Sequence, residues 1–172
     1  KSAFLEFGKQ LKSNGKLFFD LSLPAVVDVV AQIKKERPDI VVVNYLELFK
    51  PFELKLPGLH NQHNAAAAYA VMMSLNTKVD DTRKALSTFA GTWRRFEYRG
   101  KTTKMALVYD DYGHHPTEIA ATIQGARELY SEQKITVIFQ PHLFSRTKQL
   151  LSEFATAFKG ADSVVITPIY AA

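Results

Sequence analysis

Residues 105–142 read MALVYDDYGHHPTEIAATIQGARELYSEQKITVIFQPH. The short apolar run over 105–109 ends in two aspartates, and residues 135–139 form a second such run rich in β-branched and aromatic side chains. Between them Ile119, Ile123, Ala126 and Tyr130 recur at helical spacing, and Pro116 stands at the first helical position, where its missing N–H costs nothing. The stretch therefore predicts strand, loop, helix, strand. A further helix is expected over 148–159 and a strand over 163–167, so the C-terminal part is read as a parallel, doubly wound, Rossmann-like α/β sheet. Such sheets bind ligands at the carboxyl ends of their strands, which directs attention to the loops 110–116, 140–147 and 168–172.

Upstream, Phe4, Phe7 and Leu11 predict a helix over 3–12 that stops at Asn14-Gly15. A strand over 17–19, a helix over 24–36 with Val26, Val30 and Ile33 inward, and a strand over 40–43 make a β-α-β unit. The stretch 46–56 contains Pro51 and reads as a connection with an edge strand around 52–55. An alanine-rich helix over 64–75 and a helix over 81–90, closed by Gly91, follow.

The chain has 172 residues, 47% of them hydrophobic, which is enough to bury a core and argues against disorder. No run reaches the roughly 18 to 20 apolar residues of a membrane span, and Glu6 among Phe4, Leu5 and Phe7 breaks a signal-peptide layout. A cytoplasmic location away from membranes is expected. The absence of cysteine removes disulfides and thiolate metal sites. A net charge of +5 would attract any anion, but the lysines and arginines are scattered and no basic-aromatic stacking pattern occurs, which argues against nucleic acid.

The loop Asp110-Asp111-Tyr112-Gly113-His114-His115-Pro116 brings two carboxylates and two imidazoles to a helix amino terminus, an end that attracts anions. A carboxylate at a strand tip can accept both hydroxyls of a ribose. The same residues can instead cap the helix and pack, and both readings stay open. A zinc site is disfavoured because adjacent histidines diverge and no i, i+4 pair exists, so no metal site is expected. In the second loop His142 precedes Arg146, whose planar fork suits a carboxylate or acyl phosphate. In PGLHNQHN, residues 57–64, side-chain amides suit an adenine edge or a helix cap. Trp93-Arg94-Arg95-Phe96-Glu97 offers an arginine to a phosphate chain.

In order, PGLHNQHNAAAAYA, GTWRRFE, DDYGHHPTEI, FQPHLFSRT and AFKGADSVVITPIYAA resemble the Mur ligases, and among them the branch that joins L-alanine to UDP-N-acetylmuramate. The resemblance covers residues 56–172. It implies that residues 1–91 are the tail of a central ATP-binding domain and 92–172 a partial C-terminal Rossmann-like domain, the remaining Mur ligase domains being partners. By similarity Asn61 and Asn64 contact adenine, Arg95 the ATP phosphates and Asp111 the ribose. Tyr112, His114 and His115 then line the junction with substrate, while His142 and Arg146 receive the L-alanine carboxylate. Mg2+ is implied, with its ligands mainly outside these residues.

Two departures accompany the likeness. No G-x-x-x-x-G-K-[ST] string occurs, so the 172 residues alone are expected not to make the peptide bond. Leu143 stands where the branch implies arginine, which removes a cation from the amino-acid pocket. A murein-peptide recycling ligase and a non-catalytic adenine-nucleotide-binding module remain alternative readings.

Overall fold

The computed structural model describes residues 1–170. They form two compact units, residues 1–53 with 62–88, and residues 54–61 with 89–170.

In the first unit, helix α1 (Ser2–Lys9) precedes strand β1 (Lys16–Phe19), helix α2 (Pro24–Glu36) and strand β2 (Val41–Asn44). β1 and β2 pair in parallel, Leu17 beside Val42, which completes the expected β-α-β unit. Pro24 opens α2 and the apolar face follows the predicted register, with Val30 and Ile33 buried. Gly8 of α1 lies on Ile33, whose Cγ1 would be 2.9 Å from an added Cβ, so only glycine lets the two helices approach this closely. Arg37 closes the arrangement by donating to Lys9 O, Leu11 O and both carboxylate oxygens of Asp39.

The expected edge strand at 52–55 does not form; a 3-10 turn (Tyr45–Leu48) leads into irregular chain. Phe52 is held by side chains instead: its carbonyl accepts from Gln62 Nε2 at 2.9 Å and its ring meets Phe49 and the Arg83 guanidinium. Helix α3 (Leu59–Ser74) starts five residues ahead of the expected 64, so the amide-rich string lies in its first turns. Helix α4 (Val79–Thr88) likewise begins earlier than 81.

The second unit carries strands β3 (Glu97–Lys101), β4 (Leu107–Asp110), β5 (Thr136–Phe139) and β6 (Ser163–Ile166), with helices α5 (Pro116–Leu129), α6 (Phe144–Gln149) and α7 (Leu151–Ala157). The order β4, α5, β5, α7, β6 is the expected Rossmann-like α/β alternation, and β5 pairs with β6 in parallel. Strand β3, which the sequence did not announce, pairs with β4 as an antiparallel hairpin carrying a register shift at Tyr98/Gly100. The single helix expected over 148–159 is two, starting earlier and breaking at Leu150. Ile119 and Ile123 of α5 meet Phe139 of β5 and Phe154 and Ala157 of α7 in a continuous core.

One guanidinium ties the far end of this unit. Arg127 donates to Ser131 O, Gln133 O, Gly160 O and Asp162 Oδ2, and Asp162 also accepts from Ile135 N. Arg127→Ala is expected to destabilise the unit by about 1 kcal/mol through the lost carbonyl bonds, with Arg127→Lys recovering part because an ammonium cannot span four acceptors. Urea unfolding checks this, and an unchanged midpoint for Arg127→Ala would contradict it.

Candidate functional site

Strand β4 delivers two aspartates to its carboxyl end, and the hairpin partner β3 brings the double arginine beside them. Asp110 Oδ2 accepts from Arg94 Nε at 3.1 Å, and the Arg94 guanidinium lies 5.1 Å from the centre of the Tyr112 ring. Asp111 works as a latch: Oδ2 accepts from Phe96 N at 2.8 Å and Oδ1 from Gly113 N at 2.7 Å. Both Asp111 oxygens are thus oriented by backbone amides, each with a lone pair to spare.

The next four residues turn the chain into α5. His115 is the N-cap, its Nδ1 accepting from Thr117 N at 3.3 Å. Glu118 reaches back, and its Oε2 accepts from the amides of His114 at 3.0 Å and His115 at 3.1 Å. The pattern is a capping box with histidine in the place of serine or threonine. Glu118 Oε1 lies 3.6 Å from Arg95 Nη1, and the Arg95 side chain is about half exposed at 51%. His114 Nδ1 sits 3.1 Å from Tyr112 O, and the two rings meet edge to face at 5.3 Å. Arg95, Asp111, Tyr112, His114 and His115 are therefore gathered around one strand tip. The capping and ligand-facing readings are both compatible with this arrangement, because capping uses one nitrogen of His115 and leaves the other.

Burial works to raise the Glu118 carboxyl, but the amides of His114 and His115 and the charges of His114 and Arg95 outweigh it and hold the group below its ordinary value of 4.5. A carboxyl depressed by folding stabilises the fold above its unfolded value, and that contribution disappears as pH falls through the folded one. The start of α5 is thus expected to loosen below about pH 4.5, with faster amide exchange at His114 and His115. Glu118→Gln should flatten this dependence; an identical acid profile in that variant would show that another group carries it.

At the β5 tip, His142 forms an isolated parallel bridge with Tyr170, their rings 5.2 Å apart. Leu143 N donates to Tyr170 O, and Tyr170 N to Pro141 O. The second and third loops are thereby joined. Ala171 and Ala172, the end of the third, lie outside the described residues. Leu143 is the N-cap of α6 at φ 71°, with no capping side chain. Arg146 stands in the next turn, partly buried. Among the described residues, the contacts that knit the β4 tip do not extend to His142 or Arg146.

Asn61 and Asn64 lie on α3; Asn61 Nδ2 donates to Pro57 O at 2.6 Å, and Asn64 is exposed. A polar group that sequence reasoning missed lies at the ends of β1 and β2. Buried Asp20 accepts from Ser22 N at 2.8 Å and lies 3.4 Å from both Tyr45 Oη and His63 Nδ1. Burial pushes the Asp20 carboxyl up, but the Ser22 hydrogen bonds and the neighbouring His63 prevail and lower it. Glu118 was also missed, although the spacing His115-Pro116-Thr117-Glu118 carries a capping-box signal once histidine is admitted as a cap.

The family described as Mur ligase, glutamate ligase domain, matches residues 94–170. A UDP-N-acetylmuramate–L-alanine ligase of Solibacter usitatus is 53% identical over 121 residues, which cover 70% of this chain and 25% of the relative. A ligase of the same name from Caldicellulosiruptor bescii is 37% identical over 195 residues, covering 100% of this chain and 42% of the relative. The crystal structure of the UDP-N-acetylmuramate–alanine ligase of Thermotoga maritima aligns with a TM-score of 0.59 at 40% identity, over 68% of this chain and 26% of that one. A murein peptide ligase from Psychrobacter arcticus shares the fold, with a TM-score of 0.64 at 20% identity over 96% of this chain and 39% of its own. This chain thus spans between 25% and 42% of these relatives' length. The ordered motifs, the Rossmann-like alternation and the matched residues agree, and the chain belongs to the Mur ligase family.

Proposed function

We propose that this chain is part of an ATP-dependent ligase that joins L-alanine to UDP-N-acetylmuramate in peptidoglycan synthesis, acting in the cytoplasm. The observation that carries the reading is the cluster of Arg95, Asp111, Tyr112, His114 and His115 at one strand tip, in a chain that over 121 residues is 53% identical to a ligase of that name. Residues 1–91 then belong to the tail of the central ATP-binding domain, and 92–172 to part of the C-terminal domain.

In this reading ATP supplies the phosphoryl group that activates the lactyl carboxylate as an acyl phosphate, and attack by the alanine amine releases ADP and phosphate. The chain's own residues bind and orient. Asn61 and Asn64 offer amides to adenine, Asp111 its oriented carboxylate to the ribose hydroxyls, and Arg95 a half-exposed cation to the phosphates. His142 and Arg146 receive the amino-acid carboxylate, and Tyr112, His114 and His115 face the reacting groups. Placing fixed charge where charge develops is what such a site contributes to the rate. Among the described residues no group of three or more His, Asp or Glu side chains is gathered to hold a cation. The Mg2+ that accompanies ATP in this reading is therefore assigned no ligand here.

A chimera in which this chain replaces the matching segment of the Caldicellulosiruptor bescii ligase is expected to make UDP-N-acetylmuramoyl-L-alanine. Its Arg146→Ala form should need at least about tenfold more L-alanine, because a two-pronged guanidinium–carboxylate contact is lost. A folded chimera that binds ATP yet ligates no amino acid would sink the assignment. With no phosphate-binding glycine loop, the 172 residues by themselves should not hydrolyse ATP. Magnesium-dependent turnover by the isolated chain would refute that part.

A further inference from the structure

We infer that His114 and His115 are held in opposite tautomers, so that the adjacent imidazoles present one bare ring nitrogen and one N–H. The assignment follows from which partners can donate. Tyr112 O, 3.1 Å from His114 Nδ1, is a carbonyl oxygen and only accepts, so the proton of His114 resides on Nδ1 and Nε2 is left bare. Thr117 N–H, 3.3 Å from His115 Nδ1, only donates, so that Nδ1 is bare and the neutral ring carries its proton on Nε2.

Two neighbours keep the rings in these poses. The Glu118 carboxylate accepts from both backbone amides and fixes where the side chains leave the main chain. The Tyr112 ring stands at 83° to that of His114, which restricts its rotation.

The sequence His-His is symmetrical in composition; the turn makes it polar. This inference refines the role of two residues in the proposed ligase site. There the bare Nε2 of His114 suits an amine N–H, and the protonated Nε2 of His115 suits an oxygen of the phosphate or carbonyl. The reverse assignment would face donor to donor and acceptor to acceptor.

The test needs no substrate. Long-range 1H–15N correlation of the 15N-histidine-labelled chain, above the titration range of both rings, separates protonated from bare ring nitrogens by their widely different 15N shifts. Expected is Nδ1–H for His114 and Nε2–H for His115. Two Nε2–H rings, or the inverse pattern, overturn the inference and leave the ligase proposal standing, whereas a chimera without ligase activity leaves the tautomers untouched.

Single variants assign the signals while keeping the local bond. His114→Asn retains an N–H donor for Tyr112 O, and His115→Asn retains an oxygen that can cap Thr117 N. In each variant the remaining ring should keep its tautomer. A change of tautomer in the remaining ring would show that the two are not set independently by these bonds, and would likewise overturn the inference.

Discussion

Phe154→Ala is expected to be the most damaging single truncation in the second unit, lowering its stability by about 3 to 5 kcal/mol. Phe154 is 7% exposed, and its ring packs on Phe139 at 5.5 Å, beside Ile119, Ile123 and Ala157. Removing it opens a cavity where α5, α7 and β5 meet, and none of the three can move in without leaving another partner. The strand Phe139 ends is the one that carries His142, so the loss should also reach the tip. Urea unfolding of the chain measures the effect; a loss under about 1 kcal/mol would mean that the site collapses freely.

The second large effect is expected at the latch. Asp111→Ala removes the acceptor for Phe96 N and for Gly113 N together, leaving two half-buried amides to find water. The cost is about 2 kcal/mol, since hydrogen bonds to a charged group are worth more than neutral ones and the site is only partly shielded. Asp111→Asn supplies one oxygen but turns a donor toward the other amide, so it should recover less than half. The proposed ribose contact disappears in both variants. Nucleotide affinity of the folded Asp111→Asn chain separates the roles: unchanged affinity beside lowered stability would leave Asp111 a latch only.

Helix α2 was legible to the residue, because Pro24 marks its first position and Val26, Val30 and Ile33 repeat on one face over a polar opposite side. Strands β5 and β6 were legible for a related reason, being short β-branched runs between turn residues. Strand β3 was not: Glu97-Tyr98-Arg99-Gly100-Lys101 has neither apolar alternation nor propensity, and becomes a strand only because β4 lies alongside it. The start of α3 was placed late because His60, Asn61, Gln62 and His63 look like loop until Asn61 bonds back to Pro57 O. The break at Leu150 has no turn residue to announce it.

The β4 tip was readable in kind but not in wiring. Sequence spacing marked imidazole, carboxylate and guanidinium groups in one loop and its neighbours. That Arg94 clasps Asp110 while Arg95 is left half exposed beside Glu118 depends on contacts across 16 and 23 positions, which no local pattern encodes. The same holds for Asp20 and His63, brought together from separate elements.

Leu143 sits at φ 71° and ψ 123° between His142 and helix α6, a sparsely populated backbone region outside the left-handed helix that costs a residue with a Cβ about 1 to 3 kcal/mol. Glycine, which has no Cβ to clash, would ease the main chain there. The leucine is therefore a standing thermodynamic burden, carried at the very bend that aims His142 and Arg146.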